Sequence, residues 1–459
     1  MISYSIIQKS QLEGGLRLDA EYYQPEYLSL NSKLKNQKSK FLADLAKNII
    51  CGPFGSAILQ EDYRAAGVPL IRVSDLNDWF VRDDDLVFIK ESLSEKMKRY
   101  QVTDGDIVVS QRGTIAMFSR VTNIFPKWNI SANLISIKKS PQIDFDYLLA
   151  FLNSFYGINQ LYHKLSGQVQ PKITTDDVRQ ILIFVPDIEK QREIAKFIQN
   201  SRHGQESSKS LYSQAENLLL TELGLSESKA WEDETLSYIV NLSEAKSAHR
   251  ADAEYFQPKY ENLIMQIKKK VEMKQLKAIA TTKRGSLIDP RFYSETEGTP
   301  YIRGKDFSSG RLEKSGLVYI SIDFRPKNET RVNAGDLVFA LIGSVGTSAL
   351  VNEEFHNSFI SNNTGKISIK NKKEVLPEYL AAVLNSIVGK LQFEKEASQT
   401  AQPKISDSQV RNFYIPILPQ FTQQKIADLV QKSHEARSKA KQLLEETKNK
   451  VENLIEIKS

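Results

Sequence analysis

Cysteine is almost missing from this 459-residue chain, Cys51 being the only one. That excludes an internal disulfide and any all-cysteine metal site. The five histidines (His163, His203, His249, His356 and His434) show no ligand spacing, so a zinc site has no support either. No stretch approaches the roughly 18 consecutive apolar residues that span a bilayer. The opening residues, Met1 to Ser10, carry neither a charged leader with an apolar core nor an Arg-rich presequence. A cytoplasmic location is therefore expected. Charge of one sign is also scarce: 62 Lys+Arg against 56 Asp+Glu leave a net charge of +6. That balance permits a polyanionic partner without demanding one.

Catalytic signatures are equally thin. There is no Gly-x4-Gly-Lys-Ser/Thr phosphate loop, no Gly-x-Gly-x-x-Gly and no His-Glu-x-x-His. An Asn/Asp-Pro-Pro-aromatic block, with which amino-methyltransferases hold a flipped base, is lacking too. Asp187-Ile188-Glu189-Lys190 has the order of a nuclease Asp…Glu-x-Lys arrangement. It stands where a helix begins, however, and acidic residues favour a helix N-terminus in any case. The pattern is that of a chain that binds rather than catalyses.

What the chain does contain is a repeat. Length alone suggests roughly three domains at about 150 residues each; self-comparison gives two modules instead. Arg17-Leu-Asp19-Ala20-Glu21-Tyr22-Tyr23-Gln24-Pro25 returns as Arg250-Ala-Asp252-Ala253-Glu254-Tyr255-Phe256-Gln257-Pro258, 233 positions later. Gly67-Val-Pro69-Leu-Ile71-Arg72 returns as Gly298-Thr-Pro300-Tyr-Ile302-Arg303, at 231. Gly105-Asp106 through Gly113-Thr114 returns as Gly335-Asp336 through Gly343-Ser344, at 230. Gln170-Pro171-Lys172-Ile173 returns as Gln402-Pro403-Lys404-Ile405, and Gln191…Ile194-Ala195 as Gln423…Ile426-Ala427, both at 232. Five blocks in one order at nearly one offset define a duplicated module.

Each module reads alike. A short apolar opener (Ser3-Tyr4-Ser5-Ile6-Ile7, then Ser237-Tyr238-Ile239-Val240) precedes the Asp-Ala-Glu-Tyr block. Pro25 and Pro258 suit the first turn of a short helix, and in the second copy Tyr260, Leu263, Ile264 and Ile267 share a face. A stretch dense in turn signals and short apolar runs follows, among them Ile107-Val-Val, Leu134-Ile-Ser-Ile and Leu337-Val-Phe-Ala, and predicts a mixed, strand-rich domain. A long helix closes each module. Over 187–223 the seam is Ile194, Phe197, Ser201, Leu211, Ala215, Leu218 and Glu222. Over 419–457 it is Ile426, Leu429, Ser433, Ala436, Ala440, Leu443, Thr447, Val451 and Leu454. Spacings of three and four are the coiled-coil pattern. Neither helix buries such an edge alone, so the two are expected to pair antiparallel; a bundle with other proteins is the competing explanation.

The expected fold is α+β: two tandem mixed α/β domains separated by two long antiparallel coiled-coil helices, as a pseudo-two-fold internal repeat. The expected boundaries are 1–186 for the first domain, 187–234 for the central helix and linker, 235–418 for the second domain and 419–459 for the last helix.

The repeated blocks supply candidate contacts, each with a plainer alternative. Arg72 and Arg303 can hold a phosphate, a guanine edge or a neighbouring carboxylate; Lys305 follows close behind the second. Between the fixed ends of the Gly-Asp block the copies diverge, Ser110-Gln111-Arg112 in one and Ala340-Leu341-Ile342 in the other. Fixed scaffold with divergent contents suits two readers of different sequences, since Gln and Arg match adenine and guanine edges and aliphatics match a thymine methyl. The alternative is a strand of differing exposure. Thr114 and Ser344 end that block. Lys172 and Lys404 follow flexible-looking segments (Ser166-Gly167-Gln168 and Ser398-Gln399-Thr400) and can meet phosphate; a turn re-entering the sheet is the duller account. The Asp-Ala-Glu-Tyr block reads as structural, its aromatics packing under the domain. The lysines at 268–270 and 370–373 read as solvated faces.

Taken in order, the Gly-Asp…Gly-Thr/Ser blocks, the Gln-Pro-Lys-Ile turns, the Gln191 and Gln423 helix starts and the Asp-Ala-Glu-Tyr openers resemble those of type I restriction–modification specificity subunits, over essentially the whole chain. That resemblance implies a non-catalytic subunit in which each domain reads one half of a split, asymmetric site in double-stranded DNA. It implies two methyltransferase subunits bound per chain and restriction subunits joining the assembly. S-adenosylmethionine, ATP and Mg belong to those partners, with none bound by this chain. The family's reading residues lie in variable loops, so none transfers by motif. Specificity partner of a type II fused nuclease–methyltransferase is an alternative, and a coiled-coil scaffold that never touches DNA is another. Helices of roughly 55 Å correspond to about 16 base-pair steps of 3.4 Å, a generous bound on any unread spacer.

Overall fold

The computed structural model describes residues 6–9, 20–77, 79–165, 171–225, 238–308, 310–312, 314, 316–324, 327–398, 400 and 402–457. The first copy's Arg17 and Asp19, the opener residues 3–5 and Ser237, and Ser166-Gly167-Gln168, Gln170 and Gln399 lie outside these. The chain divides into two compact units, residues 1–205 with 438–459 and residues 206–437.

In the first unit the strands Asn48–Cys51, Leu134–Lys138, Ile107–Ser110 and Phe118–Arg120 lie in that order in one antiparallel sheet. A second sheet runs Val87–Ile89, Val68–Ile71, Trp128–Ile130 and Gln101–Val102, with a parallel pair at its centre. The unbroken apolar run at 107–109 is explained by burial on both faces. Ile107 and Val109 meet helices Phe145–Leu152 and Phe155–Leu165, whereas Val108 meets Trp128 and Ile130 of the other sheet. Continuous apolar strands follow from such double coverage.

The second unit repeats this plan. Ala280–Arg284, Thr364–Ile369, Leu337–Ala340 and Ser348–Leu350 make the first sheet, and Tyr293–Ser294, Val318–Ile320, Thr299–Ile302 and Phe359–Ile360 the second. Helices Pro377–Asn385 and Ile387–Glu396 cover it. A small hairpin, Phe307–Ser308 with Arg311–Leu312, is added.

The proline-started helices form as expected, at Pro25–Lys35 and Pro258–Lys268. The openers before them fasten onto each domain. His163 stacks on the rings of Tyr22 and Tyr27 in the first unit. In the second, Arg250 pairs with Asp252 and donates to the carbonyls of Glu396 and Ala397 at the end of a helix. That satisfies orphan carbonyls and gives Arg250 and Asp252 a structural role in the second unit.

The long helices span Ile188–Glu222 and Gln420–Glu456. In the first unit Glu193, near the start of one, pairs with Lys450, near the end of the other. In the second unit Ser208 and Ser433 hydroxyls meet at 3.0 Å, both buried, where the start of 206–222 faces the end of 420–437. Both pairings are antiparallel. Ile194, Ser201, Ala215, Ile426, Ser433, Ala440, Thr447 and Val451 are buried as the seam predicts. Glu222 is a correction: it is exposed, and Leu219 and Leu223 occupy the seam there. A carboxylate goes to water when an apolar neighbour one step along can take its place. Gln191 and Gln423 are buried bolts. Each side-chain carbonyl accepts the N–H that opens a covering helix (Asp144 or Leu376), and each amide donates to Pro186 or Leu418.

Candidate nucleic-acid interface

Five segments of the first unit are knit together by backbone hydrogen bonds. Gly52 N–H donates to Leu134 O (2.7 Å), Ser131 N–H to Ile71 O (2.9 Å), Gln111 N–H to Asn133 O (2.8 Å) and Ile173 N–H to Gln111 O (3.1 Å). The loops after residues 51, 71, 110, 130 and 170 thus share one edge of the domain. The second unit repeats the lacing. Gly285 N–H donates to Thr364 O (2.9 Å), Ser361 to Ile302 O (2.9 Å), Leu341 to Asn363 O (2.9 Å) and Ile405 to Leu341 O (2.9 Å). The Gly-Asp block and the Gln-Pro-Lys-Ile turn, about 60 residues apart in sequence, are neighbours in both.

The lacing needs glycine. A Cβ on Gly52 would stand 2.2 Å from the carbonyl oxygen of Ser131, and one on Gly285 would stand 2.1 Å from that of Ser361. Only a residue without a side chain lets the two backbones approach so closely.

The candidate residues fall into two groups. Arg112, Thr114, Lys172, Lys305, Ser344 and Lys404 are exposed on these loops. Ser110 and Gln111 are buried: the Ser110 hydroxyl donates to Thr114 O inside the turn. Arg72 and Arg303 are half-buried and forked onto carboxylates. Arg72 donates to Asp75 through Nε (3.0 Å) and Nη2 (2.8 Å), and Arg303 to Asp306 at 2.8 and 2.9 Å. Each also reaches a carbonyl, of Asp85 or Gly316. The hydrogen bonds that Arg72 donates to Asp75 raise the arginine pKa further, so that cation is permanent. Asp106 and Asp336 close turns in the same spirit, accepting from the N–H of Thr103 or Asn333 and pairing with Lys138 or Lys366.

Residues without a motif complete the edge. Arg284 is exposed, and its Nε donates to Asn362 O at 2.6 Å. Cys51 holds the corresponding place in the first unit, so nothing in the repeat marks the arginine. Phe54 and Leu287, also 233 positions apart, are 89% and 74% exposed. Their signal in the sequence was an apolar residue beside a duplicated glycine. Among the described residues no group of three or more His, Cys, Asp or Glu can hold a metal ion. No described helix is long and apolar enough to cross a membrane.

Paired readers on a fixed frame match one family model, the type I restriction modification DNA specificity domain, over residues 25–216 and again over 268–452. The chain belongs to that family. It is a DNA specificity subunit with two such domains. No curated protein matches it. Among solved structures, the type I restriction–modification S subunit from M. genitalium is similar at 14% identity and a TM-score of 0.41, over 91% of this chain and 94% of that one. The HsdS subunit from Thermoanaerobacter tengcongensis is similar at 14% identity and a TM-score of 0.29, over 90% and 95%. The type IIG restriction endonuclease BpuSI is similar at 12% identity and 0.30, over 41% and 30%. Membership rests on the family model, which this specificity subunit matches twice.

Exposed lysines on this edge suit phosphate. Replacing Lys172 or Lys404 by Ala is expected to weaken binding to specific and unrelated DNA alike. The slope of log K against log salt should fall by about 1 for each, measured by fluorescence anisotropy across a salt series. A loss confined to one sequence would show the lysine to be a base contact instead.

Proposed function

We propose that each unit reads one half of a bipartite, asymmetric site in double-stranded DNA with its five laced loops. The supporting observation is that the two units share the lacing bond for bond while the side chains it carries differ. Arg112 stands against Ile342, Cys51 against Arg284, Phe54 against Leu287 and Ser74 against Lys305. One frame carrying two side-chain sets is what two different half-sites require. Arg112, Thr114, Lys172, Lys305, Ser344 and Lys404 are the candidate contacts; Ser110, Gln111, Arg72 and Arg303 hold the loops that bear them. The division of labour follows the boundaries 1–186 and 235–418 for reading, with 187–234 and 419–459 setting the spacer and docking two methyltransferase subunits. Restriction subunits complete the assembly, in the cytoplasm. S-adenosylmethionine, ATP and Mg serve those partners, and this chain contributes recognition without catalysis.

The experiment is to reconstitute the chain with the methyltransferase encoded beside it and map methylated adenines across a genome. One bipartite motif with unlike halves is expected. A palindromic motif, or no split motif at all, would remove the reading.

A further inference from the structure

Phe54 and Leu287 are large apolar side chains at the laced edge that the fold leaves in water. Burying such a side chain stabilises by roughly 1.5–3 kcal/mol, so leaving two exposed at one repeated position asks for a reason. Both are held firmly. Pro53 beneath Phe54 is buried, Gly52 is pinned against Ser131, and Ala57 N–H closes the turn on Phe54 O at 2.9 Å. Leu287 stands between Gly285, pinned against Ser361, and Ile288, which is 1% exposed. The turns that carry Arg112 and Lys172 adjoin the first, and those that carry Ser344 and Lys404 adjoin the second.

Exposed cations on the same edge suit phosphate and bring it against a duplex, where base faces offer the largest apolar surfaces and deoxyribose carbons smaller ones. An apolar side chain on a rigid tip then meets bases. Phe and Leu are both side chains that separate stacked base pairs when driven between them. We infer that Phe54 and Leu287 are wedges, each unstacking one base step in the half-site its own unit reads. This rests on the DNA-reading function proposed above and adds a mechanism: part of the specificity comes from how easily a step opens, with no hydrogen bond to it.

The test uses the complex of the full chain with its methyltransferase partner and duplexes bearing the mapped site. 2-Aminopurine, which pairs with thymine, replaces singly each adenine in or beside the site other than the methylated ones, and its fluorescence rises where stacking is lost. One rise per half-site is expected. Phe54→Ala should abolish one rise, leave the other, and weaken binding about tenfold or more, the worth of a base–aromatic contact. Phe54→Trp should retain the rise, and Leu287→Ala should abolish only the other. Because both side chains are exposed, thermal midpoints should match the wild type. Rises that persist in Phe54→Ala and Leu287→Ala would overturn the inference. So would a loss of affinity that tracks thymine-to-uracil replacement without any rise, which would mean methyl contact rather than wedging. If the complex binds no bipartite site at all, the reading function itself fails, a separable result.

Discussion

An Arg72→Ala variant is expected to lose about 3 kcal/mol of stability in the first unit, and Arg303→Ala about as much in the second. Asp75 is 3% exposed and accepts from the Arg72 backbone N–H (2.8 Å) as well as from Nε and Nη2. Removing the guanidinium strands a carboxylate in the interior, which costs about 3–5 kcal/mol for a buried pair; the partial exposure of Arg72 argues for the lower end. Arg72→Lys should restore only a fraction, because an ammonium cannot match two oxygens and the Asp85 carbonyl from one plane. Asp75→Ala combined with Arg72→Ala should be milder than Arg72→Ala alone. Urea midpoints, with hydrogen exchange at 68–75, would measure this. If Arg72→Ala kept wild-type stability and lost DNA binding, the arginine would be a base contact and the carboxylate a bystander.

That arginine shows where sequence stops informing. An Arg at the end of a repeated block fits phosphate, guanine or carboxylate equally well, and only the fold brings Asp75 beneath it. The same holds for Ser110 and Gln111. Their divergence from Ala340 and Leu341 looked like altered readout, yet all four are buried, and the divergence there is repacking around a common backbone path. At Arg112 and Ile342 the divergence reaches the surface edge. Period-two patterning did not betray this, because strands covered on both faces carry no alternation.

Other features were legible for clear reasons. The repeat survives because both copies need the same bolts: Asp106 and Asp336 under their turns, and Gln191 and Gln423 at the helix starts. Each bolt fixes a side chain to backbone groups, so its identity is dictated twice. The long helices were legible from spacing to within a residue or two. Spacing could not choose between neighbours such as Glu222 and Leu223, since both lie near one face and burial decides. Arg284 stands opposite Cys51 with no shared chemistry to align, and Phe54 and Leu287 share only apolar character at one offset, so the lacing of distant loops is what brings them together as a group.

Lowering the pH from 7 to 4.5 should destabilise the second unit selectively, through His434. Its ring is largely buried against the helix pair, and its Nε2 is sealed from solvent with no hydrogen-bond partner among the described residues. Burial, helped by the charges of Arg311 and Arg437, pushes its pKa down to about 4. The ordinary value of about 6.5 applies once the chain unfolds. Between these values the unfolded state binds a proton that the folded state refuses. Stability from the neutral ring is therefore complete above pH 6.5 and is lost as pH falls toward 4, by up to about 3 kcal/mol. The matching position of the first unit is Arg202, paired with Asp104 at 3.5 Å and bonded to Asn123, so no imidazole stands there. In His434→Leu the extra acid sensitivity should vanish, leaving urea midpoints of the second unit to follow the general slope of the chain. Hydrogen exchange at 307–312 and 430–437 against pH would locate the effect. An unchanged slope in His434→Leu would show that the acid response arises elsewhere. The two units share a plan, yet this one substitution gives them unequal responses to acid.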